Sequence, residues 1–402
     1  MALPPSFTAS LAAIWPVLPL LLIYVAIWVI ICVVWWVSKG ARFGVTGLPY
    51  YIIYRTARLN AWIARVSSRR PIVWRTVWNI GVVVGVGSMV FIFYKLATNL
   101  LYLFVGSQQA APAQIIVPVP GIFVTFQTFP FLALALSICL VSHELSHGIA
   151  SLGEKVPLKS TGAFFVHVFM GAFVEPDEEK LNQARGATKL RVFAAGSFTN
   201  LILGLLCILL LANFTATITP FYNIVPSGVS VVSVALNMPA HTSGLKAGDT
   251  LTAINGTKIS DVADLRRYMA SITPGQVVDL QTQQGTFAVR TAADPSNSSH
   301  ALIGISLDDS INYVPKLALL SSDLPPNLLR AENWAYIVLI SVGLINMLPA
   351  DPLDGGKFLD TALNMLGIRG AKQIRIVANG AAWAILLANV GFSLLRFGFV
   401  RP

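Results

Sequence analysis

The sequence predicts an α-helical multi-span membrane protein of about six spans, with a re-entrant β-hairpin and an inserted small α/β domain. Hydrophobic residues make up 55% of the 402 residues and charged residues only 11%, a composition that cannot cover an ordinary soluble surface. Apolar runs of spanning length recur along the chain, and one internal segment departs from them. The net charge of +10 does not point to nucleic acid, because the basic residues cluster beside the apolar runs.

The apolar runs define the predicted spans, each compared with the ~20 residues that cross a bilayer. The first lacks a basic leader and is too long for a cleaved signal sequence, so we expect it to be retained. The fifth is short, and we expect residues 348–356 to continue it irregularly inside the protein. Residues 50–66, apolar but punctuated by arginines, predict an interfacial amphipathic helix. The predicted spans are residues 12–37, 78–105, 129–150, 192–212, 334–348 and 376–395.

Basic residues predict the orientation of these spans. Residues 38–77 carry one lysine and a series of arginines, which the positive-inside rule places in the cytoplasm. Residues 106–128 carry no charge, as expected of an external loop, so the third span runs inward. The basic stretch 155–191 then follows on the cytoplasmic side. Arg396 and Arg401 are expected outside, which opposes the rule.

The third apolar run ends in the pentapeptide His143-Glu144-Leu145-Ser146-His147. On a helix, histidines at i and i+4 share one face, so both imidazoles can bind one zinc ion. The glutamate between them can act as general base toward a zinc-bound water. The alternative is a helix end whose polar residues meet the interface. Ionisable residues inside a membrane are costly and usually functional, which favours the metal site.

Two aspartates that follow the fifth apolar run are candidates for a third ligand. Asp354 precedes two glycines, so the backbone there can approach a neighbour closely. Asp351 is a rival three residues earlier. A turn of proline, aspartate and glycine that merely closes a helix is the alternative, and the histidine motif favours a shared zinc site.

The chain resembles the site-2 protease family of intramembrane zinc metalloproteases over roughly residues 125–395. The H-E-x-x-H pentapeptide matches one family motif, and residues 346–355 match another, N-x-x-P-x-x-x-x-D-G. The family register implies Asp354, rather than Asp351, as the third zinc ligand.

Residues 195–200 resemble a third family segment, A-G-P-x-x-N, which ends at Asn200. Ser197 stands where proline is usual, a departure that bears on a local kink and leaves the chemistry intact. The resemblance implies that Asn200 and Asn346 hold the substrate backbone. It also implies a zinc ion held by both histidines of the pentapeptide and Asp354, with the intervening glutamate as the catalytic base.

Residues 159–176 are β-branched and aromatic and too short for two spans, so they predict a β-hairpin that dips into the membrane from the cytoplasmic side. In the family, a comparable loop presents the substrate as an extended strand. His167 lies within it. We expect this histidine to be packed or to contact substrate, because two histidines and one aspartate already leave the open position that catalysis needs.

Residues 226–307 have alternating apolar residues, turn signals and one helical stretch. Residues 228–234 predict a strand and residues 261–270 a helix, and the segments 243–251 and 254–256 complete a resemblance to PDZ domains of the protease-associated type. Such domains bind a peptide as an added strand at a sheet edge beside the helix. A spacer domain with a closed groove is the alternative.

These elements divide the chain into regions. The expected regions are an N-terminal membrane region at residues 1–125, the first part of the catalytic core at 126–222, an extracytoplasmic PDZ-like domain at 223–310 and the second part of the core at 311–402.

The predicted function is regulated intramembrane proteolysis, in which Zn²⁺-dependent hydrolysis cuts peptide bonds within or next to transmembrane segments. The expected partners are transmembrane protein substrates, a peptide or substrate ectodomain at the PDZ-like domain, and the lipid bilayer, with no nucleic acid. The expected location is the cell membrane, with the active site toward the cytoplasm. Two alternatives stay open: a non-catalytic scaffold that binds client proteins, and a metal-ion carrier, which more often shows internal repeats.

Overall fold

The computed structural model divides into two compact units, which separate between Ala212 and Asn213 and between Leu329 and Arg330. We call residues 213–329 the inserted unit and the remainder the membrane unit. The structure describes residues 18–38, 45–46, 51–56, 58–113, 124–166, 169–295 and 297–398.

The membrane unit is built mainly of helices, with one small sheet. Its elements, together with the helix that leads back from the inserted unit, are α1 (Leu18–Ser38), β1 (Val45–Thr46), β2 (Ile52–Thr56), α2 (Arg58–Arg69), α3 (Pro71–Phe104), α4 (Phe129–Gly153), β3 (Leu158–Val166), β4 (Phe169–Pro176), α5 (Glu178–Gln183), α6 (Gly186–Ala212), α10 (Leu324–Ile345), α11 (Asp354–Met365) and α12 (Ala371–Phe397).

Five helices of the described chain, α3, α4, α6, α10 and α12, are long and apolar enough to cross a bilayer. They overlap the second to the sixth predicted spans and confirm the multi-span class. The fifth is longer than predicted, because helix α10 already begins at Leu324. Helix α1 covers most of the first predicted span, whose residues 12–17 lie outside the described residues, so the count of six spans stays a prediction.

The predicted β-hairpin is present as β3 and β4, which pair antiparallel within a sheet of order β1-β2-β3-β4. Its entry into the bilayer stays a prediction, and His167 lies outside the described residues. The expected amphipathic helix over residues 50–66 is wrong at its start, because β2 pairs with β3 there and helix α2 begins at Arg58. A side chain at Gly162 would collide with the Tyr54 carbonyl, so this glycine permits the pairing.

Three buried hydrophobic clusters pack helix α4 and its neighbours together. Near its start, α4 packs on α10 through Cys139 and Leu339. Near its end, it packs on α3 and α6 through Ala150. Helix α11 packs on α6 through Phe358 and Ala194. Small residues along α6 allow this close approach.

A buried ion pair fastens the end of α4, and we call it the Glu154 clasp. The Glu154 side chain is 6% exposed and accepts bonds of 2.9 and 3.0 Å from Nη1 of Arg191. The Thr188 hydroxyl donates to the same carboxylate at 2.8 Å. Nε of Arg191 donates to Oδ1 of Asn79, so the clasp joins α4, α6 and α3.

The inserted unit has mixed α/β structure, as its sequence pattern predicts. Its sheet follows the order β12-β5-β6-β8-β9, with β7 paired to β6, and β10 pairs with β11. Leu265 on helix α9 is buried against Leu251 and Leu280 of the sheet. The elements are α7 (Phe214–Ile218), β5 (Tyr222–Val234), α8 (Pro239–Thr242), β6 (Thr250–Ile254), β7 (Thr257–Lys258), α9 (Val262–Met269), β8 (Val277–Thr282), β9 (Gly285–Arg290), β10 (Ala292–Asp294), β11 (Asn297–Leu302) and β12 (Ile305–Pro315).

The inserted unit extends beyond the expected residues 223–310 at both ends. Strands β5 and β12 remain paired out to Tyr222 and Pro315. Tyr222 also packs with Phe214 and Ile218 in a small buried cluster, to which Leu328 adds a partly buried side chain. The long strand pair and this cluster belong to the same compact unit, which therefore begins before and ends after the predicted boundaries.

Candidate metal centre

Helix α4 places His143 and His147 on one face, as their spacing predicts. Their rings meet edge to face with centroids 4.7 Å apart, and the two Nε2 atoms are 3.1 Å apart. Both residues are buried. Nδ1 of His147 donates to the Val192 carbonyl at 2.7 Å, which leaves Nε2 as an acceptor.

Asp354 reaches both histidines from the first turn of helix α11. Its Oδ2 lies 3.1 Å from Nε2 of His143 and 3.1 Å from Nε2 of His147. The Gly355 N–H donates to the Asn346 carbonyl at 2.8 Å, and a side chain at Gly355 would collide with the Leu348 carbonyl. The glycine therefore lets the helix start against the preceding loop and brings the carboxylate to the imidazoles.

Asp351, the rival candidate, lies on the exposed side of the same loop. Its backbone N–H donates to Asn379 at 3.0 Å, and its carbonyl accepts from Trp383 at 3.1 Å. Among the described residues, the group with ligand atoms all within 4.8 Å of one another is His143, His147 and Asp354.

The donor set fits zinc. Two imidazole nitrogens and one carboxylate oxygen are the protein ligands of many catalytic zinc sites, which keep a fourth position open. Gly196 on α6 supplies the space, because a Cβ there would lie 2.6 Å from Nε2 of His143 and 2.6 Å from Nε2 of His147. The point on which both nitrogens converge is therefore left clear by the missing side chain.

Glu144 directs its carboxylate into the same cavity. Its Oε2 accepts a 2.9 Å bond from the backbone N–H of Val174 on β4. Strand β4 ends the sheet order, so its outer side carries no further strand in the described part of the chain. The cavity measures about 290 Å³ and is lined by His143, Glu144, His147, Val174, Asn346 and Asp354, among others.

The two asparagines suggested by the motifs occupy different environments. Asn346 lines the cavity, with Nδ2 3.1 Å from Nε2 of His143 and 3.5 Å from Oδ2 of Asp354. Asn200 is fully buried. It contacts residues of α4: its Nδ2 lies 3.3 Å from Nδ1 of His143, and its Oδ1 lies 3.1 Å from the Ser142 hydroxyl.

Sequence reasoning missed three contributors to this site. Gly196 belongs to the A-G-P-x-x-N-like segment, but the need for an absent side chain beside the imidazoles follows only from the packing of α6 on α4. The Val192 carbonyl and the Val174 N–H are backbone groups, which no residue type reveals. The predicted hairpin was the available signal for Val174.

The family model of peptidase family M50 matches residues 131–389 of this chain. An uncharacterized protein of Methanocaldococcus jannaschii is 29% identical over 242 residues, which cover 59% of this chain and 58% of that protein. A protein of Arabidopsis thaliana described as a membrane-bound transcription factor site-2 protease homolog is 24% identical over 214 residues, covering 52% of this chain and 40% of that protein. The chain thus spans about half the length of these curated relatives.

Shorter matches involve other proteins. A probable periplasmic serine endoprotease, DegP-like, from Bartonella henselae is 41% identical over 51 residues, which cover 13% of this chain and 10% of that protein. The solved PDZ domain of the SdrC-like protein from Listeria monocytogenes is 29% identical and covers 20% of this chain and 87% of its own, with a TM-score of 0.19.

Proposed function

The chain belongs to peptidase family M50, and from that premise we propose that it is an intramembrane zinc metalloprotease. It cuts peptide bonds within or next to transmembrane segments of other membrane proteins. One observation carries the proposal: three ligand atoms of His143, His147 and Asp354 converge beside Glu144 in the C-terminal half of an apolar helix. The chain is an integral membrane protein, and regulated proteolysis is its proposed role.

The proposed zinc ligands are His143, His147 and Asp354. Zinc, when bound there, polarises the scissile carbonyl and makes water a stronger nucleophile. Glu144 takes the proton from the attacking water and then gives it to the leaving amine. The Val174 N–H holds the Glu144 carboxylate within the cavity at 2.9 Å. Asn346 lines the same cavity, which supports its proposed role as a donor to a substrate carbonyl.

The exposed edge of strand β4 supports the proposal that the substrate binds in an extended conformation. A helical transmembrane segment buries its carbonyls in its own hydrogen bonds, so it must unwind before water can attack. An exposed sheet edge offers backbone partners to an unwound strand. Val174 belongs to this edge and lines the cavity with Glu144, to which its N–H already donates, so a strand added along this edge would pass beside the proposed base.

The replacement Glu144→Gln tests this proposal directly. Zinc content is expected to remain near one ion per chain, because the ligands are untouched. Cleavage of a model transmembrane substrate is expected to fall by about 10²–10⁴-fold, because the base is lost. Zinc is measured by elemental analysis and cleavage by electrophoresis in detergent or liposomes.

Glu179→Gln makes the same chemical change on helix α5, outside the proposed machinery, and is the matched control. Near-wild-type cleavage by Glu144→Gln would contradict the mechanism. A scaffold would show no cleavage in the wild type, and a metal-ion carrier would move zinc across sealed vesicles.

We also propose that the inserted unit binds a peptide or a substrate ectodomain. Strand β12 stands at the edge of its sheet, and the Val262 N–H at the start of α9 donates to Asp309 of β12 at 2.7 Å. A strand edge beside a helix is the geometry in which some domains bind an extended peptide.

Deletion of most of the inserted unit tests whether it serves substrate binding separately from catalysis. Tyr222 pairs with Pro315, so a short Gly-Ser linker can join them when residues 223–314 are removed. Zinc content is expected to stay unchanged, because no proposed ligand lies there. The set of cleaved substrates is expected to change, as measured by comparing membrane proteomes. An unchanged set would reduce the inserted unit to a spacer.

A further inference from the structure

We propose that Asn200 is a positioning residue for the metal ligand His143, and that it does not touch the substrate. The inference rests on the zinc site of the proposed function. It replaces the role that the motif resemblance suggests for this asparagine with one that its surroundings support.

Burial is the first support. Asn200 is 0% exposed. It follows Gly196 by one helical turn on α6, so both face α4. The Asn200 amide is within hydrogen-bonding reach of Cys139, Ser142 and His143, which lie on one face of that helix. A substrate strand in the cavity cannot reach an amide that is covered in this way.

The hydrogen-bonding capacity of the amide is the second support. A histidine that binds metal through Nε2 carries its proton on Nδ1, which must then donate. An asparagine amide offers an oxygen and a nitrogen of nearly equal shape, so either atom can face the imidazole. Nδ2 lies 3.3 Å from Nδ1 of His143, so turning the amide over brings its oxygen to this position and its nitrogen to the Ser142 hydroxyl. The Ser142 hydroxyl also lies 3.2 Å from the Cys139 carbonyl, so it can accept from the amide and donate there.

The two histidines therefore differ in their outer partners. His147 donates to the Val192 carbonyl, a backbone group that substitution leaves in place. His143 depends on a side chain, so a single replacement can release its ring. Loss of such an outer partner typically lowers metal affinity about 10–100-fold.

Zinc affinity of the purified full-length protein in detergent is the decisive measurement, by competition with a chromogenic chelator. Asn200→Leu is expected to bind zinc about 10–100-fold more weakly. Asn200→Asp is expected to restore most of that affinity, because a carboxylate can accept from Nδ1–H. The absorption spectrum of the Co²⁺-substituted protein reports ligand orientation, and it is expected to change in the leucine variant and to resemble wild type in the aspartate variant.

Thr199→Val is the matched control. It removes the 2.7 Å bond between Ser146 and Thr199, which joins the same two helices without touching a ligand. Its zinc affinity and Co²⁺ spectrum are expected to match wild type. Ser142→Ala provides a second test if the leucine variant fails to fold: it frees one end of the amide and is expected to weaken zinc binding by up to about tenfold.

Three outcomes would overturn the inference. One is wild-type zinc affinity in both Asn200→Leu and Ser142→Ala, with a raised KM for substrate. Another is an equal loss of zinc in Thr199→Val, which would mean that helix packing alone is responsible. The third is a wild-type protein that binds no zinc. Zinc binding without cleavage by the wild type would instead count against the proposed function and leave the positioning role intact.

Discussion

Helix α4 carries two buried polar clusters that differ in how their charges are satisfied. In the Glu154 clasp, a carboxylate meets a guanidinium and a hydroxyl, so each group finds its partner within the protein. About two turns earlier, His143 and His147 meet Asp354. Three atoms that can each donate an electron pair to a metal ion lie 3.1 Å from one another there. The first cluster is complete by itself, whereas the second calls for a cation.

This difference indicates a structural role for the Glu154 clasp and a chemical role for the candidate metal centre. Buried charges are tolerated when they are paired and hydrogen-bonded. The clasp meets this condition with atoms from three helices and therefore stabilises their arrangement. The candidate metal centre would meet it with a bound cation. We therefore expect substitutions in the metal centre to change metal content more than folding, and substitutions in the clasp to do the reverse.

The sharpest test within the metal centre compares its two aspartates. Asp354→Ala is expected to lose nearly all zinc and all cleavage, because one of three proposed ligands is gone. Asp351→Ala is expected to keep most of both, because its loop is held by backbone bonds to Asn379 and Trp383. Elemental analysis of both purified variants decides the matter. Equal zinc loss would mean that both carboxylates contribute to the site.

Gly196→Ala tests the space beside the imidazoles. The added methyl would lie 2.6 Å from both Nε2 atoms, where no carbon can be accommodated without movement. We expect zinc affinity to fall by about 100-fold or more, beyond the usual effect of an outer-shell change. Chelator competition measures the fall. Gly391→Ala, on α12, is the control, because a Cβ there meets nothing within 4 Å. Full zinc affinity in Gly196→Ala would break the proposed geometry.

Glu154→Ala has the smallest expected effect on zinc and a large one on folding. It leaves Arg191, whose side chain is only 14% exposed, without its carboxylate. Loss of one partner of a buried ion pair typically costs about 3–5 kcal/mol. Thermal unfolding in detergent is expected to occur at a lower temperature, while the folded fraction keeps wild-type zinc affinity.

Arg75→Ala is the contrast to this variant, because that side chain is 66% exposed and lies 3.8 Å from Glu154. Removal of such a surface partner is expected to cost about 0–1 kcal/mol. A loss of zinc in folded Glu154→Ala would show that the two clusters are coupled, and it would contradict the assignment of a purely structural role to the clasp.

Much of the architecture was predictable from local patterns. Five helices overlap predicted spans, since apolar runs of sufficient length satisfy their backbone in lipid only as helices. The family was predicted from the H-E-x-x-H and N-x-x-P-x-x-x-x-D-G motifs and is confirmed by the match over residues 131–389. The start of the amphipathic segment was wrong because β2 gains its partner from β3, more than a hundred residues away in the chain.

For the site itself, the sequence alone was enough to place His143 and His147 on one helical face, because the helical repeat brings i and i+4 together in any context. It was also enough to mark Glu144 as their neighbour. The motif resemblance already implied Asp354, but the approach of its carboxylate to both imidazoles, the space at Gly196 and the burial of Asn200 depend on how α6 and α11 pack against α4. Those relations join residues far apart in the chain, and only the folded protein brings them into contact.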